Sequence, residues 1–193
     1  MKQMKGFGLA VAMCSCLFGV AGPASATTLT SPAGSAYTGE IHAVSEEHLR
    51  FDTVVANVDC SATATGKVES HGAEVTAKVA LTGLATTCTN SWHFTFVSLG
   101  VLEVHRTGEG VGTVTSTGMT LNLTRFGVVC NLVTNNTTLG TLTDSQKTGG
   151  TATIHLEGKL SLHTGSSVLC GNQTATLTGS YLVTTPDSLY LDQ

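Results

Sequence analysis

Cysteines are the residues of this sequence with the clearest chemical potential, since a thiol can act as a nucleophile, ligate a metal or form a disulfide. Two of the six, Cys14 and Cys16, lie in an apolar N-terminal stretch, and the other four follow it: Cys60, Cys88, Cys130 and Cys170. An even number of cysteines in an exported chain favours disulfides. Four cysteines allow three pairings, and their number alone leaves all three open.

A weak internal repeat favours one of these pairings. The segments from Cys60 to Cys88 and from Cys130 to Cys170 share a layout of cysteine, short polar strand, glycine, turn, long alternating strand and second cysteine. We interpret them as two copies of one hairpin closed by a disulfide, which predicts the bridges Cys60–Cys88 and Cys130–Cys170. In the chain-entropy treatment, closing loops of these lengths contributes about 3.5 to 4 kcal/mol per bridge.

Patterns of catalytic or metal-binding residues are otherwise missing from the sequence. It contains no G-x-S-x-G elbow, no H-E-x-x-H, no P-loop and no dinucleotide-binding glycine pattern. The densest cluster of potential metal ligands lies within His42–His48, and a second lies within His71–Glu74. A zinc site needs three or four ligands in a defined geometry, and Glu46–Glu47 has the composition of a turn, so we interpret both clusters as solvated surface. We expect no enzyme, no metal and no cofactor.

The single tryptophan is the remaining candidate for a binding role. Trp92 and the adjacent His93 could contact a ligand, because an exposed aromatic ring can stack on the face of a sugar. A lone tryptophan in an all-β domain is more often part of the core. Both interpretations stay open from the sequence.

The elements that would position these residues are β-strands. Apolar and polar side chains alternate from Ala152 to His163, which is the pattern of an antiparallel strand with one buried face. Similar alternation occurs in Val75–Leu81, Trp92–Phe96, Met119–Leu123 and Ala175–Val183. Clusters of Gly, Asn, Ser and Asp separate these runs and are typical of turns. Ser45–Arg50 could form one helical turn. The sequence therefore predicts an all-β fold, an antiparallel β-sandwich or flattened barrel of about nine to eleven strands.

The N-terminus has the features of a secretory signal peptide. Lys2 and Lys5 precede the apolar stretch Gly6–Val20, and Ala24–Ala26 supplies the small residues of a cleavage site. We predict a signal peptide at residues 1–26 and a single secreted β domain at residues 27–193; an acylated Cys14 or Cys16 is the alternative. No later segment is apolar enough to span a bilayer.

Composition agrees with an exported globular chain and excludes two other classes. Only 11% of the 193 residues are charged and 5% are aromatic, with a mean hydropathy of +0.21, which argues against a disordered chain. The 13 acidic residues outnumber the 9 basic ones, so the chain lacks the positive charge that nucleic acid binding requires.

The segment Thr178–Asp192 resembles the C-terminus of a large set of uncharacterised secreted bacterial proteins, in which G-S-Y-K-V-T-T-P-x-x-L-Y-V follows a cysteine-containing strand. Further stretches similar to that set are Ser31–Gly39, Val68–Ala73, Cys88–His93 and Gly100–His105. More distantly, the Thr/Gly-rich strands and paired cysteines resemble the PraB-like secreted proteins, called alkane-oxidation activators and linked with biofilm matrix. The resemblance implies export and an all-β fold, and it carries no site residues.

These observations lead to an expected function. We expect a non-catalytic secreted structural or interaction protein of the cell surface or extracellular matrix, whose partner is another copy of the chain or a surface polymer. Exposed edge strands would allow self-assembly by strand addition, with Thr27–Tyr37 as the donor. The alternative is a β module that binds a small ligand or a glycan.

Overall fold

The computed structural model describes residues 26–53, 57–69, 76–146, 148–171 and 174–192. The predicted signal peptide, apart from Ala26, and the segment His71–Glu74 lie outside the described residues. The described chain is all-β, as predicted, with one short 3₁₀ turn at Val168–Cys170. Its strands are β1 Thr28–Thr30, β2 Glu40–Ser45, β3 Leu49–Asp52, β4 Asn57–Val68, β5 Ala77–Cys88, β6 His93–Ser98, β7 Val101–Gly108, β8 Val111–Thr117, β9 Thr120–Arg125, β10 Val128–Val133, β11 Thr137–Thr143, β12 Thr153–Leu162, β13 Thr174–Thr185 and β14 Tyr190–Asp192.

Eight of these strands close into an antiparallel barrel. The order around the barrel is β2, β4, β5, β7, β8, β11, β12, β13 and back to β2. Closure depends on the pairing of β2 with β13, two strands far apart in sequence. The structure thus resolves the choice between sandwich and barrel in favour of a closed barrel. The strand count exceeds the expected nine to eleven partly because β1 and β14 have only three residues each.

One position of the barrel is shared by β2 and β3. Both strands pair with β4 and with β13. Val44 pairs with Thr63 and Leu49 pairs with Cys60. The chain between Val44 and Leu49 therefore has two more residues than the facing segment of β4. The extra residues form an exposed bulge that includes Glu46. The single helical turn considered for Ser45–Arg50 is therefore wrong. An even number of extra residues keeps the buried side chains before and after the bulge on the inner face.

A three-stranded flap extends the sheet beyond the barrel. The second half of β12 pairs with β10 through Leu132 and Leu162, and β9 and β6 follow β10 outward. Alternation places Leu121 and Leu123 of β9 and Leu132 of β10 in the buried core. The flap thus covers the apolar end of the barrel formed by β3, β4 and β13.

The opposite end of the barrel is closed by β1 and β14, which pair only with each other in the described chain. Leu29, Leu189 and Leu191 of this region are 2% exposed and belong to the second of two core clusters. The segment Thr27–Tyr37, proposed from the sequence as a strand donor, thus contributes a strand and a buried leucine to its own chain. Its donation to another copy would require its release.

Both predicted disulfides are confirmed. Cys60 and Cys88 face each other in the β4–β5 hairpin, and Cys130 of β10 is bridged to Cys170 at the end of the 3₁₀ turn. The interpretation of each segment as a hairpin closed by a disulfide holds only for Cys60–Cys88. The second bridge does not close a hairpin, because β11 and β12 lie between its two cysteines.

Within the described ranges, the structure holds no helix whose length and apolarity would let it span a membrane.

Candidate functional site: an apolar cavity with a lateral opening

Strand β5 changes its inward face halfway along its length. Its first half buries Ala77 and Val79. The register with β4 then shifts, so that Thr82 is an extra residue between the pairs Gly66–Leu81 and Thr65–Gly83. Such a bulge changes which side chains of a strand point inward. Before it the odd-numbered residues of β5 face the interior, and beyond it the even-numbered Leu84 does.

Beyond this bulge, β5 leaves the barrel wall open on one side. Its second half pairs with β4, while β6 pairs with β9, and no ladder joins β5 to β6 in the part of the chain that the structure describes. The gap is closed at one end by the hydrogen bond from Leu81 N to Gly100 O, 3.3 Å. At the other end the chain itself connects the strands through a loop in which Trp92 N donates to Thr89 O, 3.3 Å. The result is a lateral opening between two consecutive strands.

Leu84 and Thr86 of β5 and Phe96 of β6, on either side of this gap, line a cavity of about 80 Å³ inside the barrel. A second cavity of about 60 Å³ lies toward β1 and β14, and the two share wall residues that include Ala43 and Ala64. These two alanines are register partners on β2 and β4. An eight-stranded barrel is just wide enough for its inward side chains to fill it, so a pair of neighbouring small residues leaves space unfilled.

The wall of the larger cavity is almost entirely apolar. Its lining residues are Ala43, Leu49, Phe51, Ala64, Leu81, Leu84, Thr86, Phe96, Leu102, Val114, Met119, Leu121, Leu139, Ile154, Leu156, Leu160, Leu177 and Tyr181. Only Thr86 and Tyr181 carry a polar side-chain atom. Because a cavity lined by such residues offers water few hydrogen-bond partners, it is a better environment for an apolar molecule than for water.

Tyr181 gives the cavity one ionisable group. It is 7% exposed on β13, and desolvation by burial raises the pKa of its phenol well above the ordinary range. The hydroxyl therefore stays protonated at physiological pH.

Aromatic rings form the rim of the opening on the β6 side. The rings of Phe51 and Phe94 lie 4.4 Å apart between centroids, and those of Phe94 and Phe96 lie 6.4 Å apart. Phe94 and Phe96 are half-buried. They therefore present apolar surface both to the interior and to the opening.

The ligand candidates from the sequence lie beside this opening and do not line the cavity. Trp92 is 6% exposed, and the Arg125 guanidinium lies 5.7 Å from its ring centroid. A ring so buried does not offer the open face that stacking on a sugar requires. His93 is exposed on β6, apart from the cavity lining.

Metal ligands do not converge among the described residues. No group of three or more His, Cys, Asp or Glu side chains there could hold a metal ion. His42 lies 3.6 Å from the carboxylate of Glu40, and both side chains are solvent-accessible. In the same ranges all four cysteines are in disulfides, so none supplies a free thiol.

Sequence reasoning missed the cavity and its opening. The alternation assigned Tyr181 and Leu177 correctly to the buried face of a strand, but it could not show that barrel closure places them around an unfilled space. One signal was present, the loss of alternation after Leu81, where Thr82 and Gly83 precede Leu84.

Comparison of the chain with protein-family models, with curated proteins and with solved structures finds no match in any of the three. The resemblance to secreted bacterial proteins therefore stays a prediction from the sequence, and the function is argued from the site alone.

Proposed function

We propose that this protein is an exported, non-catalytic binding protein that holds a small apolar ligand inside its barrel. The observation that carries the proposal is an apolar cavity lined from both sides of a gap between β5 and β6, where neither strand has a partner on the side facing the gap. The site differs from the Trp92–His93 contact considered from the sequence.

The size of the cavities limits the ligand class. The two adjoining spaces of about 80 and 60 Å³ together approach the roughly 150 Å³ of an apolar cavity that accepts benzene. A ligand of one aromatic ring or a short hydrocarbon would have to occupy both spaces, past the shared wall residues Ala43 and Ala64. One hydrogen-bonding group on the ligand could be accommodated at the Tyr181 hydroxyl.

The experiment uses the exported chain with both disulfides intact and benzene as the probe. A ligand that binds only the folded state stabilises it by about 2.7 kcal/mol at a concentration one hundred times its Kd, so benzene should raise the midpoint of thermal unfolding. Ala64→Val fills part of the cavity wall and should remove this increase. Ala85→Val makes the same change on an exposed position of β5 and should retain it. An unfolding midpoint that benzene leaves unchanged in the unmodified protein would refute the proposal.

A second candidate function is self-association by strand addition, the leading expectation from the sequence. It is favoured by the same gap, because the second half of β5 and the whole of β6 pair on one side only within the described chain. A charge on an edge strand blocks such pairing, so Val97→Lys on β6 should abolish any concentration-dependent assembly. A protein that is monomeric by light scattering at every concentration, with no filaments by electron microscopy, would exclude this function.

Export is part of both proposals. It is supported by the two disulfides, which persist in oxidising compartments, and by the signal-like sequence before Thr27. Intact mass of the secreted protein should show a chain that starts at Thr27 and carries no free thiol. A lipid-modified Cys14 or Cys16, or a retained N-terminus, would contradict it.

A further inference from the structure

Three large apolar side chains project into solvent from two neighbouring loops, the turn between β9 and β10 and the 3₁₀ turn before β13. Phe126 is 86% exposed, Val168 is 92% exposed and Leu169 is 56% exposed. We call these three residues the apolar tip. Leu, Val and Phe are normally buried, and a group of exposed ones on a soluble protein marks a surface that contacts something else.

The backbone holds the apolar tip in place. Phe126 and Gly127 form a two-residue turn between β9 and β10, with φ values of 46° and 81°. Two positive φ values are typical of a type I′ hairpin turn, where Asn and Gly are the usual residues. A phenylalanine at the first position is strained, and its ring is exposed instead of packed in the core.

The second loop is fixed against the first. Ser167 N donates to Val129 O at 2.8 Å, and the Cys130–Cys170 disulfide joins β10 to the 3₁₀ turn that carries Val168 and Leu169. The two loops are therefore attached to the same short segment of β10, and their apolar side chains lie at the same end of the molecule.

The two chain segments that carry the apolar tip contain no carboxylate side chain, unlike the chain as a whole. The protein has 13 acidic and 9 basic residues, yet no carboxylate side chain occurs between Glu109 and Asp144 or between Glu157 and Asp187. These ranges contain β9, β10 and the 3₁₀ turn. Their cationic residues are Lys159 on β12 and Arg125 next to the apolar tip. The Arg125 guanidinium lies 4.9 Å from the Phe126 ring centroid, and its Nε has no hydrogen-bond partner among the described residues.

We propose that the apolar tip docks on the surface of an anionic lipid bilayer. Side chains that project from two loop tips form a convex surface, which suits insertion between fluid lipids. Aromatic and aliphatic side chains favour the boundary between headgroups and acyl chains. Arg125, which forms no ion pair with a described carboxylate, can attract lipid phosphates. The inference goes beyond the ligand proposal and does not depend on it, because the apolar tip lies outside the cavity lining.

The test is flotation of the complete exported protein with two kinds of vesicle, phosphatidylcholine alone and phosphatidylcholine mixed with phosphatidylglycerol. The unmodified protein should float with the mixed vesicles, and less so at high salt. The triple variant Phe126→Ser, Val168→Ser, Leu169→Ser should lose this binding, with roughly a tenfold loss of affinity for each apolar side chain removed. Arg125→Gln should lower the preference for anionic vesicles, while the contribution of the apolar side chains to vesicle binding should remain.

A matched control removes exposed valines elsewhere. Val44 and Val97 are 36% and 65% exposed on β2 and β6, and Val44→Ser, Val97→Ser should bind vesicles like the unmodified protein. Circular dichroism of every variant checks that the fold is retained. Failure of the unmodified protein to float with either vesicle, or equal flotation of the triple variant, would overturn the inference. A dimer that the triple variant abolishes, without any vesicle binding, would overturn it too and identify a second copy as the occupant.

Discussion

The buried phenol of Tyr181 predicts a loss of stability at alkaline pH that a single substitution should remove. Its side chain lines an apolar cavity and is 7% exposed, and burial raises the pKa of the phenol well above its ordinary value of 10. Above pH 10 the unfolded chain releases this proton while the folded chain keeps it. The unfolded state then binds fewer protons, so the free energy of unfolding falls as pH rises.

The magnitude follows from the difference in protonation. A group that ionises with a pKa of 10 only in the unfolded state lowers the free energy of unfolding by about 1.4 kcal/mol at pH 11. Tyr181→Phe removes the ionisable group with little change of volume. Between pH 8 and pH 11, the free energy of unfolding of the variant should therefore fall by about 1.4 kcal/mol less than that of the unmodified protein.

Urea denaturation at both pH values measures this difference, and comparison of the two proteins cancels the ionisation of groups that they share. Tyr190→Phe, on the short strand β14, is the matched control. It should show the same loss as the unmodified protein. Equal losses in the unmodified protein and in Tyr181→Phe would refute the assignment of Tyr181 to a dry interior.

Three further predictions concern the stability of the fold and are measured by urea denaturation. Replacing Cys60 and Cys88 together by Ala should cost about 3 to 4 kcal/mol, because the bridge closes a long loop in the unfolded chain; a cost below about 1 kcal/mol would contradict this. Gly140→Ala should destabilise the protein by more than about 2 kcal/mol, since φ is +155° and an added Cβ would overlap a backbone oxygen of β12; a neutral effect would contradict the close approach of β11 and β12. Leu123→Ala should cost about 3 to 5 kcal/mol in the fully buried core, whereas Leu169→Ala on the exposed turn should change stability by less than about 0.5 kcal/mol; similar costs at the two sites would contradict the assigned burial.

Much of the local structure could be predicted from the sequence, because a strand with one buried face has a period of two whatever sheet it joins. The alternation in Ala152–His163 corresponds to β12, and that in Ala175–Val183 lies within β13. The disulfide pairing followed from a shared layout of two segments. That layout gave the right bridges although only Cys60–Cys88 closes a hairpin.

Closure of the barrel could not be predicted, because it depends on the pairing of strands that are distant in sequence. Every half-buried antiparallel strand has the same period of two, so the pattern does not show which strand is its neighbour. The bulge at Glu46 and the extra residue Thr82 illustrate the difficulty. Each changes how a strand meets its neighbour. The turn-like composition of Glu46–Glu47 and the loss of alternation at Thr82 do not show how many residues the bulge inserts or which strand lies opposite. The cavity follows from Ala43 and Ala64 becoming neighbours across β2 and β4, which no local pattern reveals.

Binding of an apolar molecule in the barrel is the central claim, and the most direct test is a titration of the methyl-labelled protein with benzene followed by NMR. The account predicts that the shifted methyl signals belong to residues around the cavity, such as Leu84, Leu156 and Leu177. Exposed methyl groups such as those of Val97 and Leu169 should not shift. Signals around the cavity that stay unchanged at saturating benzene, or shifts confined to the exposed residues, would contradict it.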